Sequence, residues 1–215
     1  MTITQDGART TSELERRDLL RRSFFWGSAA VAGSLAVAAP AHADSPHVTV
    51  FDVAMLGNTH RLIPGPGVED FDLRGTTYYV DGIIYPGGTI TGGAEIFDPA
   101  AHADQAIGTW ISTGSFIWSP GRLQPHRFSI QQHIFGTISP ADLFPEDQIA
   151  SQGTESSRTQ DTLPSTRVIT GGSGKYFGAS GQITQYGHGK NNTLINVLGQ
   201  VQTAPNFRMH FKFKS

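Results

Sequence analysis

The chain has 215 residues, with 18 acidic and 16 basic side chains, so its formal net charge at pH 7 is -2. This near-neutral balance lacks the basic surplus that nucleic-acid binding needs. Cysteine is absent, which excludes disulfides, zinc–thiolate sites, iron–sulfur clusters and a cysteine nucleophile. Glycine contributes 25 residues and charged side chains only 16%, a composition that favours short strands and turns.

Residues 1–43 have the pattern of an export signal. Arg21 and Arg22 are followed by one spacer and two phenylalanines, which is the core of a twin-arginine signal. The weakly apolar run that continues to Ala39 is shorter than the roughly 20 residues of a membrane span. An A-x-A cleavage site ends at Ala43. We therefore expect export to the periplasm or the exterior, with no stable membrane insertion after cleavage. A general secretory signal and an uncleaved anchor are the alternatives.

Residues 44–215 are predicted to form one domain of short strands separated by turn residues. No segment of this part shows a long apolar period of 3.6. We expect a polar connection at Asp98–Ala106 and a hairpin loop at His188–Asn192. The predicted strands are, in chain order, His47–Ala54, Thr76–Ile84, Thr89–Phe97, Ile107–Trp118, His126–Ile138, Ile149–Ser157, Thr166–Thr170, Gln182–Gly187, Leu194–Thr203 and Phe207–Lys214.

The last predicted strand has the cleanest alternation of polar and apolar side chains. One face carries Arg208, His210, Lys212 and Lys214, and the other carries Met209, Phe211 and Phe213. Short strands of this kind predict an antiparallel barrel or sandwich. Closure into an eight-stranded antiparallel β-barrel removes exposed edges and leaves an interior for side chains or one small ligand. All-β with this barrel is therefore the predicted fold class.

A glycine-rich stretch, Ile169–Ile183, is predicted to be a tight corner between two strands. Its glycines suit positions where the backbone needs a positive φ or passes close to another segment. A phosphate-binding loop would need a helix directly after the glycines. The residues that follow, Gln182 to Tyr186, suit a strand better.

The corner resembles the glycine-rich turn of the allene oxide cyclase and dirigent barrel superfamily. Gly108-Thr109-Trp110, with Gly114, is similar to a strand of many barrel members. Val50–Thr59 looks like the first dirigent strand, although the histidine of that element is missing beside Asp52. The positions that match the pattern G-G-[ST]-G-[KR]-[YF]-x-x-A-x-G are Gly171, Gly172, Ser173, Gly174, Lys175, Tyr176, Ala179 and Gly181.

This resemblance implies an eight-stranded antiparallel barrel that assembles as a homotrimer and uses neither metal nor organic cofactor. It implies a small apolar or phenolic ligand whose cyclisation or coupling the barrel directs, mostly by orientation and exclusion of water. The chain departs from the family by having neither cysteine nor the His-Asp pair, so the fold is transferred more readily than the reaction.

Polar side chains inside predicted strands are the candidate functional groups, because a barrel that acts on a small molecule needs a few of them in an apolar cavity. Asp52 and Glu155 are the candidate catalytic residues, since burial can raise the pKa of a carboxyl group into the range for proton transfer. His133 and Tyr186 are the candidate binding residues. Each of the four could instead face solvent or form a structural pair. The histidines show no metal-ligand spacing, so no metal site is expected.

Two other functions remain open from the sequence. Gly108-Thr109-Trp110 has the G-x-W form of a lipocalin signature, although it falls in the middle of the chain. A carrier of this class would release its ligand chemically unaltered. The second alternative is a structural or interaction module whose barrel is fully packed, which would have no internal cavity.

Overall fold

The computed structural model describes residues 48–65, 74–117, 126–136, 147–156, 164–197 and 199–214. The predicted signal segment and Trp118 therefore lie outside the described residues. The strands are β1 Val48–Met55, β2 Arg61–Ile63, β3 Thr77–Pro86, β4 Ile96–Phe97, β5 Gly108–Phe116, β6 His126–Phe135, β7 Gln148–Ser156, β8 Ser165–Ser173, β9 Gly181–Val197 and β10 Gln200–Phe213. Within the described ranges, three single 3₁₀ turns occupy Gly57–Thr59, Ala103–Gln105 and Gly174–Tyr176.

Eight antiparallel strands close into a barrel, in the order β1-β10-β9-β8-β7-β6-β5-β3. The ring closes because β1 pairs with β10 on one side and with β3 on the other. Among the described strands, the short β2 pairs with β3 alone, and β4 pairs in parallel with β9. The predicted fold class is therefore confirmed. Within the described ranges, no helix has the length and apolar character needed to cross a membrane.

Alternation along the strands sends one set of side chains into the barrel and the other outward. The last strand follows its prediction, because Met209 and Phe211 are fully buried while Lys212 is exposed. The main apolar cluster lies inside the barrel and includes Trp110 and Phe207, whose ring centroids are 5.7 Å apart. The interior is thus a mixture of apolar and polar residues rather than a uniform hydrophobic core.

A second, smaller cluster lies on the outer side of β1 and β3. Residues 87–107 run over these strands and bury Ala54, Tyr85, Ile90 and Phe97. Thr89–Phe97 was predicted to be a strand, and only Ile96–Phe97 is one. Gly92 and Gly93 both have positive φ, at 77° and 73°. This conformation interrupts an extended strand, which is the physical reason for the difference.

The last hairpin also differs from its prediction. β9 runs without interruption through His188–Asn192, which was predicted to be a loop, and ends at Val197; Gly199 lies in the turn before β10. β10 likewise continues from Gln200 to Phe213. Gly189 has φ 81°, and the pairing of β9 with β10 shifts register on both sides of Pro205. Bulges of this kind bend a strand without ending it, so residues whose sequence suggests a loop lie within a continuous strand.

The glycine corner joins β8 and β9, which pair antiparallel, as the sequence predicted. Replacing Gly181 by alanine is expected to lower the free energy of unfolding by more than about 2 kcal/mol, because the backbone is strained and crowded there. Its φ is 139°, and an added Cβ would lie 2.1 Å from the carbonyl oxygen of Lys212. Urea unfolding followed by circular dichroism measures the loss.

Gly178 provides the matched control in the same corner. Its φ is 77°, but an added Cβ would meet nothing within 4 Å. Gly178→Ala should therefore cost only about 1 kcal/mol, from backbone strain alone. Equal losses for the two variants would show that the close approach to β10 does not determine the identity of residue 181.

Candidate functional site

The inner faces of β5, β6 and β7 carry four cross-strand rows of side chains. Residues that face each other across a strand pair are near neighbours, and successive rows lie about 7 Å apart along the strands. In order along the strands, the rows are Trp110–His133–Ile149, Ser112–Gln131–Ser151, Gly114–Ser129–Gly153 and Phe116–Arg127–Glu155. The interior thus changes from apolar through uncharged polar to charged.

The glycines of the third row leave room for two long side chains from neighbouring strands. Tyr78 of β3 pairs with Gly114, and Arg167 of β8 lies beside Gly153. An added Cβ on Gly153 would lie 3.2 Å from Cγ of Arg167. Both side chains reach over this row to Glu155. We refer to Tyr78, Arg127, Glu155 and Arg167 as the charged cluster.

Glu155 is the centre of the charged cluster and is only 4% exposed. Its Oε1 accepts a hydrogen bond from the Tyr78 hydroxyl at 3.0 Å and lies 2.8 Å from Nε of Arg127. Its Oε2 accepts a hydrogen bond from Nη2 of Arg167. Arg127 also lies over the Tyr78 ring, with its guanidinium carbon 4.8 Å from the centroid. Both carboxylate oxygens are therefore held by donors.

The protonation states in the cluster follow from this geometry. Burial acts to raise the pKa of Glu155, but the charges of Arg127 and Arg167 and the Tyr78 hydrogen bond outweigh it and lower the pKa to about 2. Burial and the neighbouring Glu155 charge raise the pKa of Tyr78 to about 12. At neutral pH the cluster contains an ionised carboxylate, a neutral phenol and two guanidinium cations.

This result differs from the sequence-based argument for Glu155. That argument expected burial to raise the pKa of the carboxyl group into the range for proton transfer. Glu155 is buried as expected, but the two arginines reverse the direction of the shift. A carboxylate with a pKa of about 2 is a weak proton acceptor at neutral pH, so its chemistry here is electrostatic.

A network of uncharged polar groups extends from Arg167 across the barrel. Its Nη1 donates to the Ser129 hydroxyl, and its Nη2 donates to Oε1 of Gln185 at 3.2 Å. The same oxygen accepts a hydrogen bond from Nε2 of Gln131 at 3.0 Å. All of these groups are buried. The network connects β6, β8 and β9 through the barrel interior.

His133 lies in the barrel interior, at the apolar end of the rows. Its Nε2 is 3.3 Å from the Met209 sulfur, and its ring meets the Phe211 ring edge-on with centroids 4.9 Å apart. Burial and the nearby Arg167 charge lower the pKa of His133 to about 3, against a smaller opposing effect of the Ile149 backbone. The imidazole is therefore neutral over the physiological range.

Asp52 does not lie with these residues. It is fully buried beneath residues 87–107, where the Nε of Arg208 donates to Oδ1 at 2.7 Å. Its Oδ2 accepts hydrogen bonds from the backbone amides of Gly88 and Ile90, at 2.7 and 3.0 Å. These contacts attach the outer segment to β1 and β10. They argue for a structural role of Asp52.

Tyr186 lies on the outer face of β9. It is 40% exposed, and its ring centroid is 5.0 Å from that of His210. Of the four candidate residues, the structure therefore brings Glu155 and His133 into the barrel interior and leaves Asp52 and Tyr186 outside it. The sequence left open whether each of the four faces the interior, and the alternation of the two faces along each strand decides this for each residue.

Sequence reasoning missed Tyr78, Arg127 and Arg167, although a signal was present. Arg127 is six residues from His133 on one strand, so the two share a face. Arg167 shares a face with Ile169 by the same rule. The described residues contain no group of three or more histidine, aspartate or glutamate side chains placed to hold a metal ion.

The chain is distantly similar to solved structures of other proteins. No family model and no curated protein matches the chain. Pyocyanin demethylase is 14% identical, with a TM-score of 0.45 over 76% of this chain and 98% of its own. Two pterocarpan synthase dirigent proteins are 12% and 11% identical, with TM-scores of 0.47 and 0.48, over 79% and 80% of this chain and 90% and 99% of theirs. The fold of this chain is therefore established by its own strand pairing.

Proposed function

We propose that the barrel binds a small apolar or phenolic molecule in its interior and directs its cyclisation or coupling. The observation that carries this proposal is the change from apolar to charged side chains along the four rows. An amphipathic molecule matches such a gradient, with its apolar body near Trp110 and its polar group near Glu155. Binding sites for small molecules commonly combine apolar walls with a few placed polar groups.

Buried polar atoms without a hydrogen-bond partner support a polar ligand or water in the interior. Among the described residues, these include Oε1 of Gln131, Oγ of Ser151, Nε1 of Trp110 and Nε of Arg167. Gln131 and Ser151 are direct cross-strand partners in the second row. Each unpaired buried polar atom costs about 1–3 kcal/mol, so a hydroxyl group that donates to this pair would be stabilised there.

The proposed contribution of the protein to the reaction is orientation. The Glu155 carboxylate fixes the Tyr78 hydroxyl and the Arg127 guanidinium, so both groups keep their positions when a ligand arrives. Holding a flexible molecule in one reactive conformation lowers the entropic part of its barrier. The assignment of Asp52 to proton transfer stays a prediction, and its contacts with Arg208 and two backbone amides favour stability instead.

Native mass spectrometry of the full chain, purified from cells that express it, tests the binding proposal. We expect a small organic molecule to accompany the protein and to be released on denaturation. The same spectrum measures the homotrimer that we propose from the family resemblance. Protein without any such molecule, together with no binding of added phenols, would support the packed structural barrel.

Product analysis of the released molecule then tests the catalytic part. Incubation of its precursor with wild type should give a single cyclised or coupled isomer, and Tyr78→Phe should lower that selectivity. The carrier alternative is favoured by one observation, the locked Glu155 carboxylate with its pKa of about 2. Recovery of the ligand chemically unaltered after long incubation would establish the carrier.

We also propose that residues 1–43 direct export by the twin-arginine route. Replacing both Arg21 and Arg22 by lysine is expected to retain the precursor inside the cell, because the route reads the arginine pair. Cell fractionation and intact mass measure this, and the exported protein should begin at Asp44. Replacing Arg16 and Arg17 by lysine is the matched control. Unchanged export of the Arg21 and Arg22 variant would favour the general secretory route.

A further inference from the structure

The charged cluster contains more positive than negative charge. Among the described residues, it combines the guanidinium groups of Arg127 and Arg167 with the single carboxylate of Glu155. Both oxygens of that carboxylate are already held by donors. Outside the cluster, the pKa of His60 is lowered mainly by burial, and the charge of Arg127 lowers it further. One cationic group is therefore in excess.

The two arginines are placed differently with respect to solvent. The Arg167 side chain is fully buried, whereas that of Arg127 is 16% exposed. Arg167 still has an unpaired buried Nε, so its donor capacity exceeds what the described side chains use. Charges in such a setting are screened less than charges on the surface. An anion that approaches Arg127 would therefore meet both an excess positive charge and directed donors.

We propose that the ligand of this barrel is an amphipathic anion whose carboxylate, or a comparable oxyanion, is bound by Arg127. The inference rests on the proposed function and specifies its ligand class. Glu155 and the Tyr78 ring hold the guanidinium of Arg127 in place, and Arg167 holds Glu155. The apolar body of the ligand extends past Gln131 and Ser151 toward Trp110.

The charged cluster would bind a neutral ligand less tightly than an anion. Such a ligand would leave the excess positive charge of the interior uncompensated, and it could accept hydrogen bonds but add no charge to them. A hydrogen bond from the Arg127 guanidinium is charge-assisted with either ligand, but only an anion adds the Coulomb attraction between opposite charges, which is stronger in a partly buried site than in water. A cation would be repelled. Preference for an anion over its neutral isostere is therefore the measurable consequence.

Titration calorimetry with 4-hydroxycinnamate and 4-hydroxycinnamamide, at 50 mM salt and pH 7.5, tests the inference. The two probes share size, ring and hydroxyl group, and they differ in the charge of one end. We expect the full chain to bind the carboxylate at least tenfold more tightly than the carboxamide. Raising the salt to 500 mM should weaken the binding of the carboxylate and leave the binding of the carboxamide nearly unchanged.

Arg127→Gln should abolish the preference and bind both probes alike. Arg61→Gln is the matched control, because Arg61 is an exposed arginine whose Nη1 donates only to the carbonyl oxygens of Asn58 and His60 in the contacts described. It should retain the tenfold preference. Circular dichroism tests whether each variant is folded. If Arg127→Gln does not fold, the salt dependence of carboxylate binding by the wild-type protein decides whether the ligand is bound through its charge.

The outcomes separate this inference from the proposed function. Equal binding of the carboxylate and the carboxamide by wild type overturns the inference and leaves the small-molecule barrel standing. A preference that persists unchanged in Arg127→Gln overturns the assignment to Arg127. If neither probe binds and native mass spectrometry finds no retained molecule, both the inference and the proposed function fail.

Discussion

Acidification from pH 7.5 to pH 5 is expected to lower the free energy of unfolding by about 2 kcal/mol through His133 alone. Burial and the Arg167 charge lower the pKa of this histidine from 6.5 to about 3 in the folded protein. Between these values the unfolded chain binds a proton that the folded protein does not bind. Stability from this group is therefore complete above pH 6.5 and falls as the pH falls toward 3, by about 5 kcal/mol in total.

Urea unfolding across this pH range measures the effect. His133→Phe removes the titrating group and keeps an aromatic ring beside Phe211, so the variant should lose most of the pH dependence. Some should remain, since burial and Arg127 also lower the pKa of His60. His210→Phe, a change on the outer face beside Tyr186, is the matched control. If stability depended on pH as steeply in His133→Phe as in wild type, the pKa of His133 would be the same in the folded protein and in the unfolded chain.

Glu155→Gln is expected to lower the free energy of unfolding by about 3–5 kcal/mol, because it leaves two guanidinium groups without their buried counter-charge. Adding Arg167→Met to this variant should restore part of the loss. The fully buried cation is then absent, and Arg127 retains 16% exposure to water. The double-mutant cycle thus measures the coupling between the two side chains.

The Lys175–Asp147 pair gives the comparison at the surface. Its Nζ and Oδ2 atoms are 2.8 Å apart, but the two side chains are 58% and 31% exposed. Asp147→Asn should therefore change the free energy of unfolding far less than Glu155→Gln does. If Glu155→Gln costs as little, or if the effects of Glu155→Gln and Arg167→Met simply add, the charged cluster is not the tightly coupled unit that its geometry indicates.

Acid stability supplies a second measure of the same cluster. The folded pKa of Glu155, about 2, lies below its ordinary value of 4.5. A depressed carboxyl pKa gives stability that is present above the unfolded pKa and is lost as the pH falls through the folded one. Glu155 therefore makes the free energy of unfolding depend on pH between about pH 4.5 and 2. This range lies mostly below the one in which His133 is tested. Glu155→Gln should flatten only this lower range.

The all-β barrel was predictable from the sequence because strand formation leaves a local signal. The alternation of Met209, Phe211 and Phe213 with basic residues marks the last strand, and the glycines after Ile169 mark the corner before β9. Local sequence patterns gave wrong predictions where pairing between strands distant in sequence determines the structure. Residues 188–192 resemble a loop in sequence, but pairing with β10 keeps them in a bulged strand.

The candidate site was predictable only in part, because its assembly depends on which strands become neighbours. The sequence by itself determined that Glu155 and His133 are polar residues within strands, that cysteine chemistry is absent, and that no histidines have metal-ligand spacing. Only the tertiary structure decided that Arg127 and Arg167 flank Glu155. This arrangement reverses the expected direction of the Glu155 pKa shift, because the two nearby cations outweigh the effect of burial, which the sequence could anticipate.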